Sequence, residues 1–99
     1  MVTRIVKMTF RTDSEEEFLK IFDHYKTHIR NADGCEHLSL LRDKEQSNIF
    51  FTYSHWLNES YLEKYRLSEL FGEVWPQTKS LFAKPAEAWT LHEQIIPTA

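Results

Sequence analysis

The sequence predicts an α+β fold in which four antiparallel strands form one sheet and the helices pack on one of its faces. Three observations predict it. Four stretches alternate with the period of two that a pleated strand imposes, and the stretches between them carry apolar residues at helical spacing. Capping residues stand where those helices would begin. The 99-residue chain has no repeat and no linker, so residues 1–99 read as a single domain with one core.

Residues 2–11 alternate as a strand, with Val2, Arg4, Val6, Met8 and Phe10 on one face and Thr3, Ile5, Lys7, Thr9 and Arg11 on the other. Thr12-Asp13-Ser14 stops it, and Ser14-Glu15-Glu16-Glu17 fits a capping box with three carboxylates at the positive end of a helix dipole. Phe18, Ile21, Phe22, Tyr25 and Ile29 then form one apolar helical stripe. Asn31-Ala32-Asp33-Gly34 ends the helix, with Gly34 suited to the left-handed cap conformation. Cys35 to Arg42 is the second strand and Ile49 to Trp56 the third, joined by the polar turn at 43–48. Asn58 caps a short helix containing Leu62 and Tyr65. Ser68 caps a second, which Pro76 is expected to bend or restart because it lacks a backbone donor. A loop at 83–85 leads into the last strand, Glu87 to Ile95. The order β-α-β-β-α(α)-β is that of the ferredoxin-like arrangement.

A sheet covered on one face only should alternate apolar and polar residues. The third strand does not. Ile49, Phe51, Tyr53 and His55 point one way and Phe50, Thr52, Ser54 and Trp56 the other, and Ile5 adds a further apolar residue to the helix-free side. Each large side chain left in water forgoes roughly 1.5–3 kcal/mol of burial, so this face is expected to pack against a second copy of the chain in a two-fold homodimer. An aromatic content of 14% argues against disorder, and the net charge of -3 argues against non-specific binding to nucleic acid. No apolar run reaches the roughly 18 residues of a membrane span, and the start has no signal-peptide core. With a lone Cys35 that has no partner for an internal disulfide, a cytoplasmic location is expected.

Particular residues then point to a family. The run Asn48-Ile49-Phe50-Phe51-Thr52-Tyr53-Ser54-His55-Trp56 leads into Asn58-Glu59-Ser60. Tyr65-Arg66-Leu67-Ser68-Glu69-Leu70-Phe71 and Pro85-Ala86-Glu87-Ala88-Trp89 follow. Together they resemble the antibiotic biosynthesis monooxygenase family of the dimeric α+β barrel group. The resemblance covers nearly the whole chain, and its most specific piece is Trp56 followed by the polar cap and the helix reaching Ser68 and Phe71. It implies a homodimer whose two sheets close a barrel, and an apolar pocket between sheet and helices in each subunit. It also implies oxidation of electron-rich aromatics or quinols by oxygen without metal or flavin. A haem-degrading branch of the group uses an Asn, a Trp and a His. Val6, Tyr65 and Trp75 stand at the positions that match, leaving no imidazole as axial ligand, and no haem cofactor is expected.

Such an oxygenase must hold a phenol or hydroquinone, help remove its proton and keep water out. His37 and His55 are the candidate bases, both on strands. Trp56 is the third catalytic candidate, carried by the resemblance. Tyr53, Tyr65, Trp75 and Trp56 could stack on or hydrogen-bond to a bound aromatic. Tyr25 is a further pocket candidate, although a residue on a helix stripe is more often core. For each histidine the bland reading, a structural or interface residue, weighs more. His24 and His28 stand four apart on one helix, but Tyr25 takes the place of a metalloprotease Glu and no third ligand follows, so no metal is expected. Cys35 and His37 should share a strand face, which reads as packing in the absence of an oxyanion hole. The leading expectation is a cofactor-independent monooxygenase acting on a small aromatic or quinone-like molecule. The alternative is a non-catalytic homodimer that binds or senses a small hydrophobic ligand on the same scaffold.

Overall fold

The structure, a computed structural model, describes residues 1–98. Strand β1 spans Val2–Thr9, helix α1 Glu15–Arg30, β2 Cys35–Arg42, β3 Ile49–Trp56, α2 Glu59–Arg66, α3 Glu69–Lys79 and β4 Glu87–His92. The sheet order is β2-β3-β1-β4, with every neighbouring pair antiparallel. Two strand–helix–strand passages therefore interleave: α1 carries the chain from β1 past β3 to β2, and α2 with α3 carry it from β3 past β1 to β4. This is the ferredoxin-like arrangement.

The helices pack on one face of the sheet, against large apolar side chains at its two ends. Val2, Met8, Phe50 and Trp56 point to that face, and all four are buried. They sort into two core clusters. In one, Met8, Phe10 and Phe50 pack with Phe18 of α1 and Leu81. Phe10 stacks on Phe18 at 4.2 Å, and Phe18 meets Phe50 edge-on at 5.1 Å. In the other, Val2, Cys35 and Trp56 pack with Leu62 of α2. At the far end of the sheet Arg42 pairs with Glu15 at 2.7 Å and lies over the Phe50 ring, tying β2 to the start of α1.

Several local expectations change. The backbone of Ser14 is not extended, so its hydroxyl makes no cap bond, and the predicted capping box is absent. Gly34 does take a left-handed conformation, at φ 79°, but the helix ends at Asn31. Gly34 is instead needed at the entry to β2, where a Cβ would collide with the ring of Tyr61. Helix α3 runs through Pro76, and the helical break falls at Leu67–Ser68. Both Pro76 and Gly72 are exposed, so the Gly72 carbonyl that loses its usual donor faces water. Strand β4 stops at His92, and Ile95, expected on it, is 87% exposed.

Candidate functional site

The cavity originates in the β-alternation itself. On the helix side of the sheet, cross-strand pairs run from Val2–Trp56 at one end to Met8–Phe50 at the other. Between them stand Arg4–Ser54 and Val6–Thr52, with Thr90 and Ala88 beside them on β4. Large rings at both ends and short side chains in the middle hold the helices off the sheet. A cavity of about 270 Å³ opens there, between the two core clusters.

Its wall is aromatic. Trp56 stacks on Tyr65 of α2 at 5.1 Å, Tyr65 meets Phe71 of α3 edge-on at 5.4 Å, and Phe71 stacks on Trp75 at 5.6 Å. Local sequence explains this belt. Phe71 and Trp75 are one helical turn apart, and the Ser68 hydroxyl accepts a bond from the Phe71 N–H while donating to the Tyr65 carbonyl at 2.6 Å, which fixes the angle between α2 and α3. The Trp56 indole N–H donates to the Ser54 hydroxyl at 3.0 Å, so this fully buried ring keeps its polar edge satisfied.

The polar equipment is sparse. Arg4 enters from the sheet and donates to the Thr90 hydroxyl at 2.7 Å. Burial, and then the neighbouring Arg66 charge, lower the pKa of its guanidinium, while Glu63 opposes the effect. Arg66 also lines the cavity; its side chain is 45% exposed, which puts it at the opening, and it pairs with Glu63 at 3.4 Å. Burial, with a smaller contribution from Cys35, pushes the Tyr65 hydroxyl up from 10.0 to about 12, so Tyr65 is a neutral hydrogen-bond donor at ordinary pH. Among the described residues, no Asp, Glu or His lines the cavity.

The residues expected to form the site divide between the two faces of the sheet. Trp56, Tyr65 and Trp75 meet at the cavity. His37, His55 and Tyr53 meet on the opposite, helix-free face, with His37 and His55 ring centres 5.5 Å apart and Tyr53 and His55 4.9 Å apart. None of these three lines the cavity, because His55 and Tyr53 stand one and three residues from Trp56 on the same strand and must point the other way. Tyr25 is also outside it, accepting a bond from Gln77 at 3.1 Å on the outer side of α1 and α3. Cys35 and His37 do not share a face. A bulge between them pairs Cys35 with Trp56 and His37 with His55. Burial raises the pKa of the Cys35 thiol, which favours its protonated form. Among the described residues, no group of three His, Cys, Asp or Glu side chains could hold a metal ion, and no helix is long and apolar enough to cross a membrane.

Sequence reasoning did not single out Arg4, Thr52 or Ser54, and from sequence alone Arg66, taken with Arg42 and Lys84, makes no identifiable anion clamp. For Arg4 the signal was present, a lone charge in the series Val2, Val6, Met8, Phe10 that points to the core.

A small α+β protein with a four-stranded sheet, helices on one face and an aromatic-walled chamber between the layers is the class defined by this fold and site. Several solved structures share the fold. One described as an antibiotic biosynthesis monooxygenase superposes with a TM-score of 0.88 at 14% identity, over 98% of this chain and 100% of the other. A conserved protein from Methanosarcina mazei gives 0.89 at 19% identity, over 95% and 94%. A protein from Mycobacterium tuberculosis gives 0.88 at 18%, over 98% of each. No curated protein matches this sequence. The family model for antibiotic biosynthesis monooxygenases matches residues 1–75, and the chain belongs to that family.

Proposed function

We propose that the protein oxidises a small electron-rich aromatic with molecular oxygen in the cavity between its sheet and helices, without an added cofactor. The observation that carries this reading is the cavity itself: about 270 Å³, walled by Trp56, Tyr65, Phe71 and Trp75, with few polar groups. Family membership supports the reaction class. A naphthol-like substrate would give up two hydrogens. One atom of O2 becomes the new carbonyl oxygen of the quinone and the other leaves as water, so no external reductant is needed. The protein's part is to stack the ring against Trp56 and Trp75, donate a hydrogen bond from Tyr65 to a substrate oxygen, and exclude water from the intermediates.

The histidines belong to a second part of the proposal. His37, His55 and Tyr53, with Ile5, Trp89 and Leu91, occupy the helix-free face, where Trp89 and Leu91 are 43% and 45% exposed. We infer that this face covers its counterpart on a second subunit, which gives the histidines a role in the interface.

One observation favours the alternative of a non-catalytic binder: the described lining of the cavity contains no side chain able to accept a proton near neutral pH. Oxygen uptake by the purified protein with a panel of hydroquinones, naphthols and anthrones, alongside quenching of tryptophan fluorescence by the same compounds, separates the two. Uptake of one O2 per quinone formed from a naphthol or anthrone, without release of hydrogen peroxide, supports the oxygenase. Quenching without uptake by any compound supports the binder.

A further inference from the structure

We propose that the cavity selects an aromatic anion, a ring bearing a carboxylate or an already ionised phenolic oxygen, which Arg4 and Arg66 hold. The inference rests on the cavity being the ligand site and names the class of ligand it takes. Arg4 stands in the middle of the helix-side face, between Val2 and Val6, where a charge is costly unless it is compensated. Among the described residues no carboxylate comes within ion-pair distance of it, and its only side-chain hydrogen bond is to the neutral Thr90 hydroxyl.

Arg66 is a second guanidinium lining the same cavity, and Glu63 is engaged with Arg66. Two positive charges against one negative charge leave this otherwise apolar chamber with an excess of one positive charge. A guanidinium has five N–H groups in a planar fork that suits two oxygens of a carboxylate or the lone pairs of a phenolate, and hydrogen bonds to an ionised acceptor are roughly twice as strong as neutral ones. The Tyr65 hydroxyl, partly buried and neutral, adds a donor and no competing charge. The missing base fits the same picture. A ligand that arrives ionised needs no proton acceptor in the wall.

The test is binding, read by quenching of tryptophan fluorescence, with pairs of probes matched in ring and differing in charge: 2-naphthoate against 2-naphthamide, and pentafluorophenol, which is ionised at neutral pH, against pentafluoroanisole. The naphthoate is expected to bind about tenfold more tightly than the amide, as a charge-assisted hydrogen bond predicts. That preference should disappear in Arg4→Met, which keeps the aliphatic stem, and shrink in Arg66→Gln at the exposed opening. A preference shared by pentafluorophenol assigns the site to anionic oxygens in general, and one confined to naphthoate assigns it to carboxylates. Equal affinity for charged and neutral partners overturns the proposal. So does an unaltered preference in both variants. Because the readout needs no turnover, absence of oxygen uptake with an intact preference for anions refutes the oxygenase reading alone.

Discussion

Tyr65 joins packing to chemistry in one side chain. Its ring stacks on Trp56, and its burial pushes the hydroxyl from 10.0 to about 12. A folded-state pKa above the unfolded one means that the folded chain holds the proton more tightly. The resulting stability is complete below pH 10.0 and is lost as pH rises towards about 12. Denaturant unfolding at stepped alkaline pH should therefore show Tyr65→Phe, which cannot ionise there, losing less stability across that window than the parent. Equal losses would remove Tyr65 as the cause. The neighbouring pair Ser54 and Trp56 illustrates what was legible at this scale. Both were read as sharing a face, and both do, because alternation along a strand is a local property. The indole-to-hydroxyl bond between them depends on side-chain rotation and could not be read from alternation.

Among the elements, the α2–α3 pair decides the shape of the cavity wall. Asn58 and Ser68 were recognised as caps from their positions ahead of apolar helical residues, and both side chains accept the expected backbone N–H. Ser68 does more, since its bonds to Phe71 and Tyr65 join the two helices. Ser68→Ala is expected to lower stability by about 0.5–2 kcal/mol in thermal or denaturant unfolding and to loosen the aromatic belt. No measurable change would mean that packing alone sets the interhelical angle. The restart expected at Pro76 failed for a physical reason. A proline costs the helix one hydrogen bond, and here the carbonyl left without a donor belongs to Gly72, on the exposed side of α3, so the helix continues. The capping box at Ser14 failed similarly: residue types permit a cap, but the backbone angle at the junction decides it.

At the scale of the whole molecule the two faces of the sheet carry different assignments. The helix side encloses the cavity, and the other side presents Trp89, Leu91 and Leu41 beside the His37, His55 and Tyr53 cluster. If that face meets a second subunit, sedimentation at micromolar concentration should give a dimer. The double variant Trp89→Glu, Leu91→Lys should give a folded monomer with a normal circular dichroism spectrum. A parent protein that sediments as a monomer would remove the interface from the proposal.

The sequence by itself determined the order of strands and helices and, on β1 and β3, which residues share a face, because hydrophobic periodicity acts over a few residues. It was also enough to separate His55 from Trp56, since adjacent strand residues point apart. Only the tertiary structure decided what the middle of the helix-side face does. Arg4, Thr52 and Ser54 become a polar floor because large rings at both ends keep the helices away from them. Arg66 joins that site from a different element, and the bulge after Cys35 sends His37 to the opposite face. Cavities and clusters of charge arise where elements distant in the chain meet, and the spacing between them depends on packing that no short stretch of residues encodes.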